Sequence, residues 1–283
     1  MTVADDSADG HKMPLLDHLI ELRQRLLYSA ITLLVAFFIC FYFAEELFNF
    51  LVQPLANILT DRAGVQGARR LIFTDLTEVF FTYVKVAFFF GAFISCPVFL
   101  TQIWLFVAPG LYKNEKSALA PFLAASPALF FAGGALVYFV LFPLAWEFFL
   151  SFETPGGNGT LPIELEAKVN EYLSLVMKLI FAFGLSFQLP IIMTLLARVG
   201  LATSKGMAAK RKYAIVGVFI VAAIFTPPDP LSQISLALPI IILYELSIYM
   251  AKLVEKKKAK AAENDGDPGD DTDGDTGSDI AKS

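Results

Sequence analysis

Six apolar runs dominate this chain, and a lipid bilayer is the solvent that suits them. They cover roughly residues 26–43, 79–107, 118–144, 172–197, 213–225 and 231–250. A helix needs about 20 apolar residues to cross a bilayer. Four of the runs meet that easily. The fifth is short, and the sixth, with Pro239 inside it, reaches the length only if its ends are counted generously. Composition points the same way. The chain is 56% apolar and 17% charged, where soluble domains are about 45–50% apolar and about 25% charged. Its mean hydropathy is +0.62, and the 28 phenylalanines suit a lipid-facing surface. The expected fold is an all-α polytopic membrane protein of six transmembrane helices, the fifth and sixth short.

The ends read differently. Residues 1–13 are small, polar and acidic, a composition that stays disordered. They are not a signal peptide, because no apolar stretch with a cleavage site follows a basic start. Residues 14–252 form the membrane domain. It opens with Pro14–Leu27, where Leu15, Leu19, Leu22 and Leu26 recur at helical spacing. This is an amphipathic helix feeding the first span. Residues 253–283 read as a basic, then acidic, disordered cytoplasmic tail. Residues 263–283 alone hold eight acids against one lysine, so the net charge of −5 belongs to the tail and the remainder is near +2.

Basic residues set the orientation. With the N-terminus inside, the inner segments carry Lys12, Arg23, Arg25, Lys113, Lys116, Arg198, Lys205, Lys210, Arg211 and Lys212, then the lysines from Lys252 to Lys260. The outer loop 44–78 carries Arg62, Arg69 and Arg70, and a short helix is expected there at 47–59. The outer loop 145–167 has no basic residue and is turn-rich at Thr154-Pro-Gly-Gly-Asn-Gly-Thr160. Both termini are expected in the cytoplasm.

Enzyme chemistry has no foothold. Cys40 and Cys96 sit inside apolar runs, and His11 and His18 lie outside them. A disulfide framework, a zinc site and a histidine cage are thereby excluded. There is no H-E-x-x-H, no G-x-G-x-x-G and no Walker loop. Gly184-Leu-Ser-Phe lacks the second glycine of a nucleophile elbow. No enzyme activity, cofactor or metal is expected.

Polar groups in or beside apolar runs are costly and carry the functional readings. Glu21 and Arg23 lie on the N-terminal helix, where the plain alternative is a solvated face with an ion pair from Glu21 to Arg25, four residues on. Glu115 lies in the turn after the second run, where an acid opening the third helix is the alternative. Lys85 and Lys178 are either snorkelling or functional. Gln188, near the middle of the fourth run, suits an interhelical hydrogen bond. Glu245 reads as an edge residue of the sixth run. Asp229, within Thr226-Pro-Pro-Asp-Pro230, suits an Asx turn.

Five stretches together resemble a family. His18-Leu-Ile-Glu-Leu-Arg-Gln-Arg25 looks like the opening signature of TatC proteins, the multispanning core of the twin-arginine protein translocase. Phe106-Val-Ala-Pro-Gly-Leu-Tyr-Lys-Asn-Glu115 is similar to the family's first cytoplasmic loop. Tyr138-Phe-Val-Leu-Phe-Pro143, Phe183-Gly-Leu-Ser-Phe-Gln-Leu-Pro190 and Thr226-Pro-Pro-Asp229 resemble three more stretches, in the family's order.

The resemblance implies a receptor for signal peptides with two adjacent arginines, exporting folded cargo on the proton gradient. Glu21 and Glu115 would meet the arginines, and a carboxylate suits the planar guanidinium fork. Arg23, Pro54, Phe106 and Tyr138 match family positions tied to function or packing. Many members carry Glu where this chain has Gln188, which puts a proton-titrating role there in doubt.

The implied partners are single-span TatA-type and TatB-type subunits, twin-arginine signal peptides, the lipid bilayer and further copies of the chain, with no nucleic acid. The implied location is the bacterial cytoplasmic (inner) membrane. The alternative function is a secondary transporter of a small solute, which six spans and membrane acids also suit. Against it stand the lack of an inverted repeat and of a midplane acid pair. An intramembrane protease fails for want of a catalytic set.

Overall fold

The computed structural model describes the chain except residues 1–14, 63–70, 112–119, 155, 158–160, 164, 227–229 and 266–283. The expected disorder of 1–13 lies outside the described residues. The described residues are helical with short connections, and two isolated β-bridges, Ile72 to Lys168 and Thr154 to Ile163, are the only sheet-like pairings among them. α1 (Leu15–Tyr42) joins the amphipathic start and the first apolar run in one helix. α2 (Ala44–Arg62) is longer than the 47–59 expected for it. α3 spans Glu78–Leu111. The third run becomes α4 (Ala120–Leu136), a π turn at Val137–Leu141 and α5 (Phe142–Leu150). The fourth becomes α6 (Val169–Ser186) and α7 (Leu189–Val199). α8 (Ser204–Ala209) and α9 (Arg211–Phe225) precede α10 (Pro230–Asp265).

Both interruptions trace to proline. Pro190 sits in the first turn of α7. Having no N–H, it cannot continue the ladder of α6, so the chain breaks at Phe187 and Gln188. Pro143 opens α5. Its ring would crowd the carbonyl four residues back. The turn ahead of it is wide, and the Phe142 N–H reaches back to the Val137 carbonyl.

Among the described residues, five helical stretches are long and apolar enough to cross a membrane: His18–Tyr42, Glu78–Phe106, Leu123–Leu150, Val169–Val199 and Gln233–Lys257. α9 has 15 residues, about 22 Å at 1.5 Å per residue, short of the ~30 Å hydrocarbon core. The fifth run is therefore short, as expected.

The sixth is not short, and this corrects the sequence reading. α10 runs through Pro239 and past Met250 to Asp265. Lys, Ala and Glu beyond Met250 are strong helix formers, so 253–265 are helical rather than unstructured. This extension also makes contacts. The Glu255 carboxylate accepts hydrogen bonds from the Ser204 N–H at 2.7 Å and from the Ser204 hydroxyl, while Tyr244 Oη donates to the Met207 carbonyl at 2.9 Å. α8 is held to α10 at Ser204 and at Met207.

Burial is uneven. In the α1 stretch 11% of the apolar window is buried, against 50% in Val169–Val199. α1 packs on α3, where a Cβ on Gly91 would lie 3.0 Å from the Phe37 backbone. Leu51, Leu55, Val86, Val137, Phe142, Leu173, Val176, Phe183 and Leu236 form the centre, joining α2, α3, α5, α6 and α10. Lipid is as apolar as these side chains. Close packing and interhelical hydrogen bonds must therefore hold the helices together.

Candidate functional site

Glu21 stands where α1 meets the last turns of α3. Arg25, one helical turn on, donates to Glu21 Oε1 from Nε at 2.9 Å and again from Nη2. The spare Nη1 of Arg25 donates to Gln102 Oε1 on α3 at 3.1 Å. His18 Nδ1 lies 3.9 Å from Glu21 Oε2, and its ring stacks on Phe106 at 4.2 Å. Glu21 and Arg25 keep 26% and 21% of their side-chain surface exposed. The carboxylate is therefore oriented yet reachable, with Oε1 engaged and, among the described residues, an imidazole at long range from Oε2. The plain alternative and the functional one coexist in this geometry.

Of the other residues singled out at this end, Phe106 joins the cluster through His18. Arg23 does not. It is exposed, among Leu19, Leu22, Leu26 and Leu27 on the free face of α1. Glu115 and Asp229 lie outside the described residues. Gln102 and His18 were not picked out by sequence reasoning. Gln102 lies four residues before Phe106, so one helical face carries both, and that spacing was the available signal.

Pro54 and Tyr138 are brought together by a backbone carbonyl. Pro54 lacks the N–H that would serve the Phe50 carbonyl four residues earlier. Tyr138 Oη donates to that carbonyl at 2.7 Å, and the two rings stack at 4.5 Å. Tyr172 Oη donates to the next carbonyl, Leu51, at 3.0 Å. Tyr138, from the π turn, thus serves the carbonyl that the helix proline leaves without its N–H, and Tyr172, from α6, adds a second bond to the neighbouring carbonyl. Tyr172 was not singled out, and nothing in its sequence setting marks it.

Gln188 caps α7 at the break and is 4% exposed. Its Nε2 donates to the Ser126 carbonyl at 2.9 Å, and its Oε1 accepts from the Ser126 hydroxyl. The same hydroxyl accepts from Trp104 Nε1 at 3.1 Å. The interhelical hydrogen bond expected of Gln188 is present, as part of a buried network across α3, α4 and the α6–α7 break. Lys85 Nζ donates to Asn170 Oδ1 at 2.7 Å, and Arg211 pairs with Glu245 at 2.8 Å, so Glu245 is a half-exposed edge residue.

Long apolar helices, two proline interruptions and satisfied polar groups between helices define a multi-pass helical membrane protein. The family model described as TatC, Sec-independent protein translocase protein, matches residues 17–239. The chain is 48% identical to the Sec-independent protein translocase protein TatC of Magnetococcus marinus, over 88% of each chain. It is 39% identical to that of Escherichia coli strain K12, over 84% of this chain and 88% of the other. A crystal structure of the twin arginine translocase receptor TatC superposes with a TM-score of 0.70 at 38% identity, covering 84% of this chain and 99% of the other. This chain belongs to the TatC family. The family is one of protein translocase subunits, not of enzymes.

Proposed function

We propose that this protein is the signal-peptide receptor of a twin-arginine translocase in a bacterial cytoplasmic membrane, recognising paired arginines through Glu21 and Glu115. The observation that carries the reading is the half-buried Glu21 carboxylate, held by Arg25 against α3 beside Phe106. Nine residues on from Phe106 the chain reaches Glu115. An arginine fork entering there would find an acceptor already oriented, and a guanidinium meets a carboxylate with two parallel hydrogen bonds where an ammonium does not. Cargo is handed to single-span TatA-type and TatB-type subunits, with the proton gradient as the energy source. Gln188, already committed to Ser126, acts in this reading as a structural hydrogen-bonding group rather than a proton carrier. Nothing in the comparisons favours a small-solute transporter.

The test is photo-crosslinking in native membranes from positions 114 and 116. A signal peptide with two arginines should crosslink, and its two-lysine counterpart should crosslink far less. Failure of both to crosslink sinks the receptor reading.

The arrangement proposed with it has six spans and both ends inside, α9 crossing by thinning the bilayer locally. Single cysteines at positions 69 and 157 should then react with an impermeant reagent in intact cells, and those at 205 and 257 should not. Labelling at 205 would require a different path for the chain.

A further inference from the structure

Lys85 is costly where it stands. It lies seven residues into the apolar stretch that opens at Glu78, about 10 Å along the helix axis, and an ammonium at that depth needs polar company. Its Nζ donates to Asn170 Oδ1, in the first turn of α6, at 2.7 Å. An ammonium has three N–H groups, and this bond serves one of them.

Lys85 and Asn170 line a cleft of about 390 Å³ between the starts of α3 and α6, within the range of small-molecule sites, about 300–1,000 Å³. Lys168 lines it too, as do Asp75, Glu78 and Glu171. Glu78 is occupied as a cap. Its Oε1 accepts from the Asn170 N–H at 3.1 Å and its Oε2 from the Thr74 N–H at 2.8 Å. The other two carboxylates are loosely held. Glu171 meets Lys168 at 3.9 Å, and Asp75 Oδ1 accepts from the Thr77 N–H at 3.4 Å. Two cations and two loosely held acids thus share one cavity, with Phe81 as its apolar wall.

We propose that this cleft binds the headgroup of a phosphatidylethanolamine, its phosphate on Lys85 and Lys168, its ammonium on Asp75 and Glu171, and its first acyl carbons along Phe81 and Phe88. Charge selects a zwitterion. A lone anion would meet three carboxylates in the cleft. A lone cation would meet two ammoniums and the N-termini of two helices, whose dipoles disfavour positive charge. A primary ammonium also donates hydrogen bonds to carboxylates, which a fully methylated one cannot.

Depth selects a lipid over a soluble zwitterion. The apolar stretches of α3 and α6 begin beside the cleft, at Glu78 and Val169, which puts it at the level of the headgroups. Phe81 and Phe88 lie seven residues apart on the face of α3 that carries Lys85, and both are more than half exposed. The proposal needs only that these helices lie in a bilayer, and stands apart from the receptor role.

The experiment titrates the full-length protein in a non-ionic detergent with phosphatidylethanolamine, phosphatidylglycerol and phosphatidylcholine of identical acyl chains, counting bound lipid by native mass spectrometry. Phosphatidylethanolamine should bind roughly two- to fivefold more tightly than the other two, the scale of one exposed ion pair. Lys85→Met keeps the apolar stem and should lower that binding roughly 2- to 12-fold, the range a single hydrogen bond commands. Glu171→Gln should erase the preference by weakening phosphatidylethanolamine and strengthening phosphatidylglycerol, a reversal that loss of structure would not produce. Lys212→Gln, at the other end of the helices, should bind all three as wild type does.

Equal binding of the three lipids by wild type overturns the proposal in favour of a solvated cleft, and so does undiminished binding by Lys85→Met. Should Lys85→Met fail to fold, the change of preference in Glu171→Gln decides. Glycerophosphoethanolamine, the headgroup without its chains, should not displace the lipid at equal concentration. Displacement would make this a site for a soluble zwitterion, and the lipid proposal would fail.

Discussion

Replacing Glu115 with alanine is expected to weaken binding of a twin-arginine peptide by roughly 10- to 150-fold and to leave binding of the two-lysine peptide almost unchanged. The expectation follows from the strength of a hydrogen bond to a charged group, about 1.5–3 kcal/mol net, with about 1.4 kcal/mol per tenfold. Glu115→Gln should be defective as well, because the amide keeps the size and loses the charge.

Glu21→Ala is expected at the lower end of the same range, and the structure says why. Glu21 Oε1 already accepts from Arg25, so an incoming arginine meets a carboxylate whose charge is partly answered. Removing Glu21 also leaves Arg25 with Gln102 as its remaining side-chain partner among the described residues, so part of the loss appears as looser α1–α3 packing. The measurement is a titration of both peptides against wild type and the three variants, with folded protein quantified in each. Equal fold losses for the two peptides would mean that the glutamates act structurally, Glu21 as one half of a local ion pair and Glu115 as a helix-start acid.

How far these features could be read in advance depends on whether they are local. The Glu21–Arg25 pair is, because four-residue spacing on a helix fixes it. So was the shortness of α9. The length of α10 was misjudged because hydropathy ends at Met250 while helix propensity does not. The α6–α7 break was missed although Pro190 was in view. An apolar run hides a proline when composition alone decides its bounds.

Contacts between distant segments were beyond reach. Pro54 and Tyr138 each stood out, yet the link between them is the Phe50 carbonyl, 88 residues from the tyrosine. Ser126 is one serine among several in the sequence. Its part in the network with Trp104 and Gln188 exists only once α4 lies against the α6–α7 break.

How closely α4 approaches α6 is set at Gly133, which leads to the second large effect. A Cβ built on Gly133 would lie 2.7 Å from the Phe183 carbonyl oxygen and 2.9 Å from its carbon. Both are backbone atoms, so no side-chain rotation can relieve the overlap and the helices must move apart. Small residues serve this purpose in membrane helix pairs, where contact rather than water exclusion supplies the attraction.

Gly133→Ala is therefore expected to destabilise the folded protein by about 1–3 kcal/mol, the usual range for overpacking a close contact. The damage should reach the polar network. Ser126 lies two helical turns before Gly133 on α4, and Gln188 lies five residues after Phe183. Pushing α6 outward lengthens the bonds from Gln188 to Ser126, and a buried amide without partners is costly.

Gly217→Ala in α9 is the control, because nothing lies within 4 Å of its added methyl. Thermal unfolding of both variants in detergent, each in a Trp146→Phe background so that Trp104 is the sole emitter, followed by helix content and by Trp104 emission, tests the argument. Gly133→Ala should unfold at lower temperature, with Trp104 emission altered in the folded state by the stretched Ser126 contact. Gly217→Ala should unfold no lower than wild type, and up to about 1 kcal/mol more stably because alanine favours a helix interior over glycine. If Gly133→Ala stays within about 0.5 kcal/mol of wild type, the level of an inert surface change, then α4 and α6 are not held at this glycine and the network must have room to adjust.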